Sequence, residues 1–141
     1  GDDTYGGLLR LKYVLEEEAD LNFIFFGAND ASPYHLIRPA EFRENLLKMI
    51  SQLGVERTVL ITPPFYNDDE PTHYSKLSEV ELFREVILNL CKEKSLKVID
   101  IFQIMKSSEN PKNLLRADCL HFTSRAYELL VREILSVIKN P

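Results

Sequence analysis

Asn29 lies where an uncharged hydrogen-bond donor could serve acyl-transfer chemistry. It follows an apolar run, within the stretch Gly-Ala-Asn-Asp-Ala at residues 27–31. A side-chain amide aimed at the oxyanion of an acyl-transfer transition state contributes about 3–4 kcal/mol. Gly, Asn and Asp are also ordinary turn-forming residues, so a plain turn is the competing interpretation of this stretch.

Asp118 and His121 form a second candidate group, because only three positions separate them. On a helical turn that spacing puts both side chains on one side. The carboxylate can then accept from the Nδ1–H of the imidazole, which fixes the tautomer and leaves Nε2 free as a general base. The competing interpretation is a helix-entry aspartate beside an unrelated surface histidine.

The elements that must position these residues include three short apolar runs, which we predict to be strands at residues 22–26, 57–62 and 96–101. The first two are nearly continuous in hydrophobicity rather than alternating. That pattern is typical of a parallel sheet covered by helices on both faces. Sites in such folds form beyond the carboxyl ends of the strands, and residues 27–31 follow the first strand directly.

Amphipathic helices are predicted around these strands. Apolar residues recur at helical spacing in four groups: Leu8, Leu11 and Leu15; Phe42, Leu46, Met49, Ile50 and Leu53; Leu77, Val80, Phe83, Ile87 and Leu90; Tyr127, Leu130, Val131, Ile134 and Ile138. Pro39 and Gly54 bracket the second helix, and Thr123 or Ser124 is expected to cap the last. A short helical turn is expected near residues 112–115. The order predicts one domain over residues 1–141, a flavodoxin-like three-layer α/β/α sandwich with a parallel sheet.

Composition excludes several classes of protein. The chain has 45% apolar and 28% charged residues, so it carries enough apolar surface to fold into a globular core. A net charge of −5 argues against a dedicated nucleic-acid surface. No apolar stretch approaches the roughly 20 residues of a membrane span. Two cysteines without a Cys-x-x-Cys pair favour a reducing, cytoplasmic setting.

Two stretches resemble sequence blocks of the SGNH, or GDSL, hydrolase superfamily: Gly-Ala-Asn-Asp at residues 27–30 and Asp-Cys-Leu-His at residues 118–121. Residues 25–31 are especially similar to small bacterial lipase/acylhydrolases and isoamyl-acetate-type esterases of that superfamily. The resemblance extends over nearly the whole chain, and the similar stretches follow one another in the same order as in that superfamily. It implies the SGNH hydrolase fold, hydrolysis of carboxylic esters by a Ser-His-Asp triad, and no requirement for a cofactor or metal ion.

The resemblance also implies roles for individual residues. Asn29 matches the asparagine that donates a hydrogen bond to the oxyanion, and Asp118 and His121 match the Asp and His of the triad. The stretch Gly-Asp-Asp-Thr at the start of the chain is similar to a block whose glycine N–H completes the oxyanion hole. Gly1 is therefore the expected match; the glycines at 6–7 are fallbacks, but a helix is expected to run there already.

The superfamily's first block, Gly-Asp-Ser, supplies the nucleophile, and this sequence has no such motif. The candidate serines lie past the Asn29 loop or in and beside helices: Ser32, Ser51, Ser75, Ser78 and Ser124. We therefore expect about 40–50 further residues ahead of Gly1, carrying two strands, a helix and the catalytic serine. Without them, residues 22–26 would have an open apolar edge. Residues 1–141 alone are expected to be inactive and poorly stable, unless a preceding segment or a partner chain completes them.

Two other function classes stay open at this point. A non-catalytic binding module is the main alternative to an esterase, because a fold does not fix a function. A metal-assisted hydrolase would use ligands such as His73 with Asp68 and Asp69. A solvated loop is favoured for those residues, since no spacing for a fourth ligand appears.

Other residues have expectations of their own. Phe65, Tyr66 and Tyr74 could form an acyl pocket, with core or surface packing equally favoured. Cys119 replaces the usual glycine of the resembling block, and we predict a small buried hydrophobe rather than a reactive thiol. His35 is predicted to lie in a polar loop. The expected partner is a small-molecule or lipid ester, not nucleic acid.

Overall fold

The computed structural model describes residues 1–66 and 76–140. Within them, three parallel strands form one sheet in the order β1 (Asn22–Phe25), β2 (Thr58–Ile61) and β3 (Lys97–Ile99). The register places Asn22 opposite Thr58 and Val59 opposite Lys97. Parallel neighbours require a crossover connection, and helices supply each of them.

Four of the five helices in the described part of the chain match predicted segments, and the exception is the short helix after β3. The five helices are α1 (Thr4–Glu16), α2 (Pro39–Leu53), α3 (Leu77–Lys94), α4 (Ile101–Lys106) and α5 (Ser124–Lys139), with 3-10 segments at Val55–Arg57 and Pro111–Leu114. Pro39 is the first residue of α2 and Gly54 follows its end with φ of 91°, as the sequence predicts. None of the described helices combines the length and apolar character needed to span a bilayer.

The two faces of the sheet are covered by different helices. Ile24 and Leu60 belong to a buried cluster with residues of α1, α2 and α3. Val59, Ile61 and Ile99 belong to a second cluster with residues of α4 and α5. Because successive residues of a strand point to opposite faces, this division makes the molecule a three-layer α/β/α sandwich, which confirms the predicted fold class.

Helix α4 was not predicted, and the third strand is shorter than expected. The strand predicted to reach residue 101 ends at Ile99. The Asp100 carboxylate then accepts a hydrogen bond from the Gln103 N–H at 3.2 Å and caps a helix that begins at Ile101. Aspartate is a strong N-cap residue, so the apolar residues after it continue as a helix rather than as a strand.

The apolar stripe predicted for α5 is only partly buried. Leu130 is 8% exposed, but Tyr127, Val131 and Ile138 are 53%, 50% and 51% exposed. The N-cap position is Thr123, but its hydroxyl donates to backbone carbonyls of the preceding 3-10 segment, at 3.2 Å, instead of accepting from the helix. The prediction of a hydroxyl cap was therefore wrong in its chemistry although right in its position.

The strand β1 is an edge of the described sheet. Its outer side has no strand partner among residues 1–66 and 76–140, and Phe25 at its carboxyl end is 39% exposed. Edge strands with apolar residues are open to pairing with a further strand.

Candidate active site

Asp118 and His121 are in direct contact. The His121 Nδ1 lies 2.8 Å from the Asp118 Oδ2, within hydrogen-bond range. Hydrogen bonds from the His121 backbone N–H, the His121 ring and the Leu120 N–H lower the pKa of Asp118 to about 2. The carboxylate is thus ionised at neutral pH and accepts from Nδ1–H, which leaves Nε2 of the imidazole as the available base.

The turn that holds this pair is not the helical turn that the spacing suggests. The Asp118 Oδ1 accepts from the N–H groups of Leu120 at 3.0 Å and His121 at 2.9 Å, so the side chain itself closes the turn. Cys119, between them, is 9% exposed and has φ of 59°, in the left-handed region that favours glycine. The thiol is therefore buried in the turn, as predicted, at a position where a side chain strains the backbone.

The Asn29 side chain lies against the first residues of the chain. Its Nδ2 donates to the Asp2 carbonyl at 2.7 Å. A Cβ added at Gly1 would lie 2.7 Å from the Asn29 Oδ1, so a side chain at position 1 would displace the amide. Gly27, with φ of 111°, lets the chain turn sharply out of β1 toward Asn29. Gly1 and Asn29 are thereby neighbours, while the glycines at 6–7 lie within α1 as expected.

Asp30 fixes this loop to the start of α1. Its side chain is 1% exposed and accepts from the Thr4 N–H at 2.9 Å, the Thr4 hydroxyl at 2.5 Å and the Gly27 N–H at 3.0 Å. Asn45 on α2 donates to the same Thr4 hydroxyl at 3.1 Å. Burial raises the pKa of Asp30, and these hydrogen bonds oppose that rise. The network joins three segments and holds the loop that carries Asn29 in place.

We expect Asp30→Ala to lower the free energy of unfolding by about 2–3 kcal/mol, because the buried N–H groups of Thr4 and Gly27 lose their acceptor. Equilibrium denaturation of the protein measures this. The matched control is Asp20→Ala, at an exposed aspartate, which should stay within about 0.5 kcal/mol of the parent. Equal effects of the two substitutions would show that the Asp30 network does not stabilise the loop.

One cavity of about 590 Å³ brings the candidate residues together. Gly1, Asn29 and His121 all line it, although they come from the two ends of the chain and the loop after β1. Phe65 and Tyr66 also line it, while the third residue of the expected acyl pocket, Tyr74, lies outside the described residues. A cavity of this volume is of the size that takes small organic ligands.

An aromatic cluster forms part of the cavity lining beside His121. The rings of Phe25 and Phe122 lie 6.3 Å apart, and those of Phe122 and Tyr127 lie 5.3 Å apart. All three residues line the cavity, and Phe122 follows His121 directly. The cavity therefore offers apolar surface next to the candidate base.

A second carboxylate–imidazole pair, which was not predicted, lies at the same cavity. The His35 Nδ1 lies 2.7 Å from the Asp3 Oδ2, and His35 lines the cavity. The prediction of a histidine in a polar loop therefore overlooked its partner. The two residues are 32 positions apart in the sequence, so no local spacing predicts their contact. The one local signal is that Asp3 directly precedes a predicted helix.

The alternative metal ligands, at positions 68–69 and at His73, lie outside the described residues. In residues 1–66 and 76–140, no three His, Cys, Asp or Glu side chains gather closely enough to hold a metal ion.

Comparisons with known proteins point to the same family as the resemblance. Residues 1–129 match the profile of the GDSL-like Lipase/Acylhydrolase family. The chain is 31% identical over 140 residues to a GDSL esterase/lipase of Arabidopsis thaliana, in a match that covers 87% of this chain and 45% of that protein. It is 28% identical over 140 residues to the isoamyl acetate-hydrolyzing esterase of Schizosaccharomyces pombe, covering 92% and 56% respectively.

A solved structure is also similar. The crystal structure of the lipase/acylhydrolase from Enterococcus faecalis superposes with a TM-score of 0.94 at 39% identity, covering 99% of this chain and 71% of that one. The chain spans about half the length of the curated relatives named above.

Proposed function

The chain belongs to the GDSL-like lipase/acylhydrolase family, and from that premise we propose that the protein hydrolyses carboxylic esters with a Ser-His-Asp triad. The observation that carries the proposal is the 2.8 Å contact of Asp118 with His121, a residue that lines the same cavity as Asn29. An ionised carboxylate on Nδ1–H keeps the imidazole in the tautomer whose Nε2 can take a proton. The substrate is a small-molecule or lipid ester.

In this mechanism a serine hydroxyl attacks the ester carbonyl carbon while His121 Nε2 takes the hydroxyl proton. The carbonyl oxygen becomes an oxyanion, which accepts hydrogen bonds from the Asn29 amide and the Gly1 backbone N–H. Collapse of the tetrahedral intermediate breaks the ester C–O bond, and His121 returns the proton to the leaving alcohol. Water then hydrolyses the acyl-serine by the same route, with Asp118 stabilising the imidazolium each time.

The serine nucleophile is proposed to come from outside residues 1–141, on a strand that pairs with the open side of β1. A parallel strand added there would end beside the Gly27 turn, because parallel strands share a carboxyl edge. The exposed ring of Phe25 at that end supports such pairing. Ser32 also lines the cavity, but within residues 1–66 and 76–140 its hydroxyl makes no hydrogen bond to a histidine that could take its proton.

A fluorophosphonate, which phosphonylates activated serines, tests both parts of the proposal. A longer protein that includes the Gly-Asp-Ser block should hydrolyse p-nitrophenyl acetate and become labelled on one serine outside residues 1–141. Residues 1–141 alone should show neither labelling nor turnover, and should self-associate in size-exclusion chromatography because the β1 edge is open. Labelling of Ser32 would contradict the assignment of the nucleophile. Absence of both labelling and hydrolysis in the longer protein would contradict the activity itself.

A further inference from the structure

The pair formed by Asp3 and His35 is the strongest feature of the cavity that the proposed mechanism does not use. The His35 and Asp3 side chains are 32% and 20% exposed, against 69% and 42% for His121 and Asp118. The second pair is thus the less exposed of the two, and its His35 ring lines the same cavity.

Both partners are held by the backbone before any ligand arrives. The Asp3 Oδ1 accepts from the Gly6 N–H at 2.9 Å and so caps α1, which leaves Oδ2 for His35. The His35 N–H donates to the Ser32 carbonyl at 3.1 Å, which anchors the loop that carries the ring. A ligand that contacts this ring therefore loses little conformational entropy of the protein, as expected of a built subsite.

The hydrogen-bonding state of the ring follows from its partner. Burial raises the pKa of Asp3, but hydrogen bonds from the Gly6 N–H and from His35 outweigh burial and hold that pKa below its ordinary value. An ionised Asp3 can only accept, so Nδ1–H of His35 donates to it, and this tautomer turns the Nε2 lone pair toward a ligand. In the described part of the chain, Nε2 takes part in no hydrogen bond.

The position of His35 indicates which part of a substrate it meets. Asp3 is two residues from Gly1, which contacts Asn29, so His35 lies on the side of the proposed oxyanion hole. The aromatic cluster of Phe25, Phe122 and Tyr127 lies beside His121. A ligand with an apolar part and a polar hydrogen-bond donor, joined through an ester, matches these two kinds of surface.

We propose that His35, positioned by Asp3, is a specificity-determining residue whose Nε2 accepts a hydrogen bond from a hydroxyl group of the ester substrate. This inference rests on the proposed esterase function and adds the substrate class: esters of polyols or of hydroxy acids, rather than plain alkyl esters. A site that holds a substrate hydroxyl discriminates against the analogue lacking it, because the acceptor is then left without a partner.

Two matched pairs of esters test the proposal on the enzyme complete with its nucleophilic serine. Glycerol monoacetate against propyl acetate places the hydroxyl on the alcohol side, and ethyl lactate against ethyl propionate places it on the acyl side. In at least one pair, kcat/KM should favour the hydroxylated ester by about tenfold or more. The pair of esters that shows the preference tells whether His35 binds a hydroxyl group on the alcohol side or on the acyl side.

Substitutions of His35 separate recognition from structure. In His35→Asn the amide nitrogen can replace Nδ1 toward Asp3, but the shorter side chain has no atom at the Nε2 position, so the preference should fall toward unity. In His35→Gln the amide reaches the Nε2 position, so much of the preference should return. Thermal melting of both variants checks that α1 and its cap stay intact.

Each outcome decides the matter. Absence of a preference in the parent enzyme for both pairs, or an unchanged preference in His35→Asn, would overturn the role of His35 while leaving the esterase function standing. Equal losses on both members of a pair in His35→Asn and His35→Gln would also overturn it, since such losses mark a general structural or catalytic part. An enzyme that hydrolyses none of the four esters, with no difference between the parent and His121→Ala, would overturn the proposed function and this inference with it.

Discussion

Replacing His121 with alanine is expected to lower kcat for p-nitrophenyl acetate by about 10³-fold or more, because the variant lacks the base proposed to take the proton of the nucleophile. The contact on which this expectation rests is the 2.8 Å approach of Nδ1 to Asp118. Steady-state kinetics on the enzyme with its nucleophilic serine provide the measurement. The effect should lie in kcat, since the imidazole acts on the serine and not on the resting ester.

Controls distinguish proton transfer from damage to the turn. Asp118→Asn should also cost several orders of magnitude, because the amide no longer enforces the Nδ1–H tautomer. Arg125→Ala, at an exposed residue four positions after His121, should leave kcat within about twofold. Residual activity of His121→Ala within about tenfold of the parent would remove His121 from the triad.

The second large effect is expected at Asn29. Asn29→Ala should lower kcat by about 10²- to 10³-fold with little change in KM, because the amide is proposed to act on the oxyanion and not on the ground-state carbonyl. The same hydrolysis assay measures both constants. The substitution also removes the 2.7 Å hydrogen bond to the Asp2 carbonyl, so the loss of a structural contact must be separated from the loss of catalysis.

Asn22 provides that separation. Its amide also donates to a backbone carbonyl, that of Arg57 at 3.3 Å, but at the amino end of β1, away from the cavity. Asn22→Ala should therefore leave kcat unchanged while losing a hydrogen bond of the same kind, although a longer and more exposed one. If the two alanine variants had equal kcat, the oxyanion role of Asn29 would be excluded.

Much of the fold could be read from hydrophobic pattern. The continuous apolar runs of β1 and β2 predict strands covered on both faces. In the structure β2 is buried throughout, whereas in β1 only Ile24 is buried because that strand is an edge of the described sheet. The start of α4 could not be read in the same way, because Ile101 and Phe102 extend an apolar run and only the cap at Asp100 separates strand from helix. Local hydrogen bonding, not hydrophobicity, decides that boundary.

The candidate site was predictable where its contacts are local and not where they are distant. Asp118 and His121 are three residues apart, so their contact follows from spacing, although a side-chain-closed turn and not a helix creates it. Asp3 and His35 meet where the start of α1 packs on the loop after β1, a packing that the Thr4–Asp30 hydrogen bonds also hold. A contact between residues 32 positions apart depends on how helices, strands and loops pack together, and a short sequence motif does not contain that information.

Each of residues 1–4 contacts the segment 29–35 that follows β1. Gly1 packs on the Asn29 amide, and the Asp2 carbonyl accepts a hydrogen bond from that amide. The Asp3 carboxylate contacts the His35 ring, and Thr4 donates to Asp30. This concentration matters for protein engineering. A flexible linker or permutation point placed within residues 1–4 would remove the hydrogen bonds that hold that segment to the start of α1. Fusion designs are therefore better directed to the far end of α5, where no candidate residue lies.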